Sequence, residues 1–216
     1  MKSIFLFLFI LGFAPAYAQA PFADEIAAFK KQDSLHPVSA NSILFIGSSS
    51  FRMWTDVQQA FPKYPIINRG FGGSTLADVI YYANDIIFPY HPKQIIIYCG
   101  ENDLASDDSI NSMIVFKRFQ TLFNMIREKL PNTSFVFVSI KPSPSRTRLL
   151  DEMQNANALI KAFLAGQSNT GYVDVFNRMI KKGKITEELF REDKLHMTEK
   201  GYAIWRKAIK PYLLKD

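Results

Sequence analysis

The chain has 216 residues with 26 basic and 20 acidic side chains, 48% hydrophobic residues and one cysteine. That length fills one core and argues against two large domains, and the lone Cys99 excludes an internal disulfide. A formal charge of +6 without a long basic run weakly favours anionic substrates or surfaces and gives no ground for nucleic-acid binding.

The first residues read as a targeting segment. Lys2 gives a short basic start, Ile4 to Phe13 an apolar core, and Ala16-Tyr17-Ala18 a small-x-small cleavage signature. The run is too short for a membrane span, so residues 1–18 are expected to be a signal peptide and 19–216 the exported domain, periplasmic or extracellular. No integral span is expected in the mature chain.

Beyond it, apolar periodicity alternates between strand and helix. An amphipathic helix over Phe22 to Leu35 stops at His36-Pro37. Ser42 to Gly47 is a continuously apolar strand of the kind buried on both faces, and a helical stretch follows through Trp54 to Phe61. Pro65 to Asn68 forms a second strand, leading into the loop Arg69-Gly70-Phe71-Gly72-Gly73. A helix covers Thr75 to Tyr90, ended by Pro92. Gln94 to Cys99 is the third strand, running into Gly100-Glu101-Asn102-Asp103. A long helix from near Ser109 closes at Leu130-Pro131. Strand four covers Ser134 to Ile140, a helix Leu149 to Gln167, strand five Gly171 to Val175, and a last helix Glu199 to Tyr212.

Five strand-then-helix units imply a single three-layer α/β/α domain with a five-stranded parallel sheet. Ligands of such sheets gather outside the carboxyl ends of the strands. Ser49 follows strand one, Gly73 strand two, Asn102 strand three, and Asp193 and His196 strand five, so all share one edge. His36 and His91 precede strands and fall at the opposite edge.

This grouping has a chemistry. Ser49 lacks nucleophilicity until a base takes its proton; His196 is the candidate base and Asp193, three residues earlier, its orienting carboxylate. The N–H groups of Ser49 and Gly73 and the Asn102 amide are candidate oxyanion donors. Each piece alone has a plainer explanation: a tight turn, a glycine loop, polar helix caps. Their common edge is what distinguishes them.

The blocks Ile46-Gly47-Ser48-Ser49, Asn68-Arg69-Gly70-Phe71-Gly72-Gly73, Gly100-Glu101-Asn102-Asp103 and Asp193-Lys194-Leu195-His196 resemble those of the SGNH hydrolases, the superfamily of GDSL-type esterases and lipases. The resemblance runs from about Ser42 to Tyr212. It implies a flavodoxin-like fold, Ser49 as nucleophile, an oxyanion hole of Ser49, Gly73 and Asn102, and no cofactor. Ser48 stands where the family usually has aspartate, and Ser50 where it has leucine. Gly-Ser-Ser-Ser-Phe-Arg-Met-Trp is similar to the platelet-activating-factor acetylhydrolase branch.

The expected activity is hydrolysis of short acyl esters, acetyl above all, on a small molecule or glycan. Acyl transfer to a sugar hydroxyl and non-catalytic carbohydrate binding are the rivals. A dinucleotide site fails because Gly70-x-Gly72 lacks the third glycine, and no P-loop exists. A zinc site fails because two histidines lie at the wrong edge and Cys99 has no second thiol. The basic stretches Lys141 to Arg148 and Arg178 to Lys184 read as solvated loops, with contact to an anionic substrate as the alternative. Phe51, Met53 and Trp54 read as helix packing rather than an acyl pocket.

Overall fold

A computed structural model describes residues 20–39 and 41–215. The expected signal peptide and its cleavage point lie outside the described residues. Strands β1 (Ile43–Gly47), β2 (Ile66–Gly70), β3 (Gln94–Tyr98), β4 (Ser134–Val138) and β5 (Thr170–Val173) form one parallel sheet in the order β2-β1-β3-β4-β5. β1, β3 and β4 lie inside the sheet, and the Ile, Phe and Val runs that mark them fit strands covered on both faces.

Alternation along each strand divides the core in two. Leu44, Ile46, Ile95, Ile97, Phe135 and Phe137 face one side, against α1 (Ala23–Leu35), α4 (Leu76–Tyr81), α5 (Ala83–Ile86), α7 (Ser112–Lys129) and α8 (Leu150–Ala165). Ile43, Phe45, Ile96, Tyr98, Val136 and Val138 face the other, against α2 (Ser49–Arg52), α3 (Val57–Ala60) and α9 (Glu199–Ile209). The three layers read from the sequence are therefore present. Phe51 and Trp54 belong to the second core, at 0% and 2% exposure, which settles them as packing residues. No helix among the described residues is long and apolar enough to cross a membrane.

Several boundaries move. The stretch through Trp54 to Phe61 is two short helices, α2 and α3, separated at Met53–Asp56. The helix expected over Thr75 to Tyr90 breaks at Tyr82 and Ile87 into α4, α5 and a 3-10 turn. The start of α4 is fixed by a capping box, in which Thr75 and Asp78 exchange hydrogen bonds between side chain and backbone. Residues Glu101–Ser106, assigned to no element by the sequence pattern, form helix α6. A small antiparallel hairpin, β6 (Ile180–Lys181) and β7 (Lys184–Ile185), occupies the second basic stretch, whose Arg178, Lys181, Lys182 and Lys184 are exposed.

Both ends of the described chain are tied to the sheet. At the front, Glu25 of α1 accepts the Gly72 N–H at 3.1 Å and pairs with Arg52 Nε at 2.6 Å. Phe22 meets Phe71 edge-on, and Tyr82 donates to the Pro21 carbonyl at 2.6 Å. Buried Arg69 pairs with Asp33, and both hydrogen bond with the Tyr90 hydroxyl. At the back, the buried Gln94 amide donates to the Tyr212 carbonyl at 2.7 Å and accepts from Leu214 N–H at 3.0 Å.

Candidate active site

The turn that carries Ser49 is set by the end of β1. Gly47 has φ of +121°, and a Cβ there would lie 2.0 Å from the Tyr98 carbonyl oxygen, so only glycine fits. Ser48 is extended, and its N–H donates to that carbonyl at 3.0 Å. The chain then turns directly into α2, which puts Ser49 at the first helical position. The far side of the turn is held by Asn68 Nδ2 to the Phe51 carbonyl (2.7 Å) and by the Tyr202 hydroxyl to the Ser50 carbonyl (2.9 Å).

The other partners arrive from the same edge. His196 Nε2 lies 3.1 Å from Ser49 Oγ, across 147 residues of sequence. On its other side, Nδ1 is 2.7 Å from Asp193 Oδ2. An ionised carboxylate only accepts, so Nδ1 carries the proton and Nε2 is left to accept from the serine hydroxyl. Asp193 Oδ1 also accepts the N–H groups of Leu195 (2.9 Å) and His196 (2.8 Å). Burial pulls the Asp193 carboxyl upward, but the hydrogen bonds from His196 and Leu195 outweigh it and hold it at about 2. His36 and His91 are exposed and sit ahead of β1 and β3, at the opposite edge, as expected.

Gly73 and Asn102 are neighbours. A Cβ on Gly73 would meet only Asn102 Nδ2, at 3.8 Å. Asn102 Nδ2 donates to Ser48 Oγ at 2.7 Å and to the Ser74 carbonyl at 3.1 Å, while Arg146 Nη2 donates to its Oδ1 at 2.9 Å. The N–H groups of Ser49 and Gly73 meet no acceptor among the described residues. The structure thus gathers Ser49, His196, Asp193, Gly73 and Asn102 into one place. Of the three serines, Ser49 is the one within reach of the imidazole; Ser48 turns to Asn102 instead.

Behind these groups lies a polar cluster that the sequence reading missed. Glu101 accepts from Lys141 Nζ (2.6 Å), Tyr98 Oη (2.5 Å) and Ser143 Oγ, all of them buried. Burial lifts the Glu101 carboxyl, and Lys141 and Arg146 overcome this to hold it below its ordinary range. Burial pushes the Lys141 ammonium down, with Glu101 opposing. The two differ because Glu101 has two cations set against its burial, whereas Lys141 loses more to burial and to Arg146 than Glu101 and Asp193 return. Lys141 and Arg146 are therefore not solvated loop charges; of the three basic residues in that loop, only Arg148 is, paired with exposed Asp108. The available signal was position: Lys141 comes directly after the buried run that continues β4 through Ser139 and Ile140.

Two further ties were missed. Asp103, fully buried, accepts the Leu76 N–H at 2.8 Å and pairs with Arg118, joining α4 to α6. Ser74, also fully buried, donates to the Gly47 carbonyl at 3.1 Å and so links the glycine loop to the turn that carries Ser49. Cys99 is buried, and its thiol is pushed well above the usual range by burial, reinforced by Asp103. It is a packing residue. Among the described residues no group of three or more His, Cys, Asp or Glu side chains could hold a metal ion.

Comparison with known proteins identifies the family and the fold. Residues 41–204 match the GDSL-like lipase/acylhydrolase family. Platelet-activating factor acetylhydrolase IB subunit alpha1 of Pongo abelii is 22% identical over 178 residues, covering 80% of this chain and 75% of that one. A GDSL-like lipase of Bacteroides thetaiotaomicron superposes with a TM-score of 0.72 at 18% identity, covering 87% of this chain and 96% of that one. An acetylxylan esterase of Geobacillus stearothermophilus gives 0.62 at 15% identity, with 81% and 94% covered. At these identities the two structures establish a shared fold, and the family match covers most of the chain. The chain belongs to the GDSL-like lipase/acylhydrolase family, with the SGNH hydrolase fold, and is a hydrolase that acts on esters.

Proposed function

We propose that this protein is an exported serine esterase that removes short acyl groups, acetyl foremost, from a small molecule or glycan. The observation that carries the proposal is the continuous line from Asp193 Oδ2 through the His196 ring to Ser49 Oγ, at 2.7 and 3.1 Å. Ser49 Oγ attacks the ester carbonyl carbon as its proton passes to His196 Nε2. The N–H groups of Ser49 and Gly73 and the Asn102 amide receive the oxyanion; the hydrogen now resting on Ser48 Oγ is the one Asn102 offers. When the carbon–oxygen bond breaks, His196 returns the proton to the leaving alcohol. Water then repeats the sequence on the acyl-Ser49 ester and releases the acid.

Support for short acyl groups comes from the absence of a long apolar insertion in the sequence between the motif blocks, and from the acetylxylan esterase among the structural neighbours. Purified protein is expected to hydrolyse p-nitrophenyl acetate faster than the octanoyl ester; the reverse order sinks the chain-length assignment. Released acetate, measured across a panel of acetylated polysaccharides, identifies the alcohol. No hydrolysis of any activated ester would favour the binding-protein reading. Support for export is the signal-like pattern of residues 1–18, and N-terminal sequencing of secreted protein, with Gln19 the expected start, tests it.

Asp193 also gives a pH prediction. Its folded value, about 2, is below that of an unfolded aspartate, so what it contributes is present at neutral pH and is lost only as pH falls through the folded value. Any acid limb in kcat/KM above about pH 4 must then belong to another group. Asp193→Asn is expected to cut kcat/KM by up to about 10⁴-fold without moving that limb into the range of aspartate. A wild-type limb that vanishes in Asp193→Asn would show that Asp193 itself titrates there.

A further inference from the structure

An oxyanion donor must present hydrogen, and a primary amide can turn either end to its site. Asn102 is held at both ends. Arg146 Nη2 donates to Oδ1 at 2.9 Å, and the Ser74 carbonyl accepts from Nδ2 at 3.1 Å. A guanidinium only donates and a carbonyl only accepts, so a flipped amide would face hydrogen with hydrogen and oxygen with oxygen.

Arg146 is itself held in place, although its buried Nη1 makes no hydrogen bond among the described residues. Its side chain is 18% exposed, and Nη1 lies 3.5 Å from Glu101 Oε1, an ion-pair contact too long for a hydrogen bond. Glu101 is fixed in turn by Lys141, Ser143 and Tyr98. The Arg146 N–H donates to the Ser143 carbonyl at 2.9 Å, and the adjacent Ser145 N–H donates to the Lys194 carbonyl at 3.0 Å. The segment therefore touches the Asp193–His196 loop on one side and Asn102 on the other. Lys141 and Arg146 both face Glu101, and the Arg146 guanidinium is the cation in direct contact with the amide.

We propose that Arg146 is a positioning residue for ester hydrolysis: it locks the Asn102 amide with its N–H end toward the oxyanion and polarises that amide. This rests on the esterase reading of the site. Arg146 forms no bond with the substrate and acts through Asn102.

The test is a double-mutant cycle on the full chain with p-nitrophenyl acetate. Arg146→Gln is expected to lower kcat by about 10- to 100-fold, somewhat less than loss of a donor itself, with KM within about twofold. Asn102→Ala/Arg146→Gln is expected to be no slower than Asn102→Ala alone, within about twofold. Losses that multiply in the double variant, or an unchanged kcat in Arg146→Gln, overturn the proposal. Arg146→Lys serves should the glutamine variant unfold: an intermediate loss of kcat supports the role, and wild-type kcat overturns it. A reading that needs no turnover comes from ¹⁵N spectra, where the Asn102 side-chain amide must shift in either variant; an unmoved resonance pair rejects the role. Inactive wild-type protein instead rejects the esterase assignment, which keeps the two failures apart.

Discussion

Ser49→Ala is expected to reduce hydrolysis of an activated acetyl ester by at least about 10⁴-fold while the protein stays folded. The reasoning is local. Ser49 Oγ makes one side-chain contact, with His196, so removing it leaves no buried partner stranded, and stability should change by less than about 1 kcal/mol. Ser48→Ala and Ser50→Ala are the controls. Both side chains are buried, and Ser48 faces Asn102, so each should lose far less activity than Ser49→Ala. An organophosphate reagent should add to Ser49 and be found there by mass spectrometry of the digest. Labelling at another serine, or activity surviving in Ser49→Ala, would reassign the nucleophile.

Lys141→Met should cost about 3–5 kcal/mol of stability, because it leaves the Glu101 carboxylate buried without its nearest counter-charge. Exposed Arg148 and Asp108 make a pair at nearly the same distance, 2.9 Å, yet breaking that pair should hardly register, since water replaces either partner. Adding Glu101→Gln to Lys141→Met removes the stranded charge and should regain about 1–2 kcal/mol. Denaturant unfolding of the three proteins measures both steps. A single variant as stable as wild type, or a double variant no better than the single, would contradict the account of this cluster.

The sheet and the five proposed site residues were legible because both rest on strong local signals. Strands such as Ile43–Ile46 and Ile95–Tyr98 carry unbroken apolar runs, and Ser49 and Asn102 follow them within four residues. Helix α6 was not legible. Its six residues, Glu-Asn-Asp-Leu-Ala-Ser, carry two acidic side chains, Glu101 and Asp103, whose burial depends on partners far away in sequence. Glu101 is held by Lys141, and Asp103 by Arg118 and the Leu76 N–H. Charge alone reads as solvent; only tertiary pairing turns it inward. The break at Tyr82 was hidden for a similar reason: the Tyr82 hydroxyl is taken by the Pro21 carbonyl, a contact with no local trace.

Helix α1 lies ahead of the segment that matches the family, and Tyr212 and Leu214 lie behind it. Gly72, whose N–H Glu25 receives, is next to Gly73. The unit that must fold together is accordingly wider than the stretch that defines kinship. Trimming a chain of this kind to residues 41–204 would keep every motif and still loosen the loop that carries one of them, so excision there should yield a weaker catalyst even where it yields soluble protein.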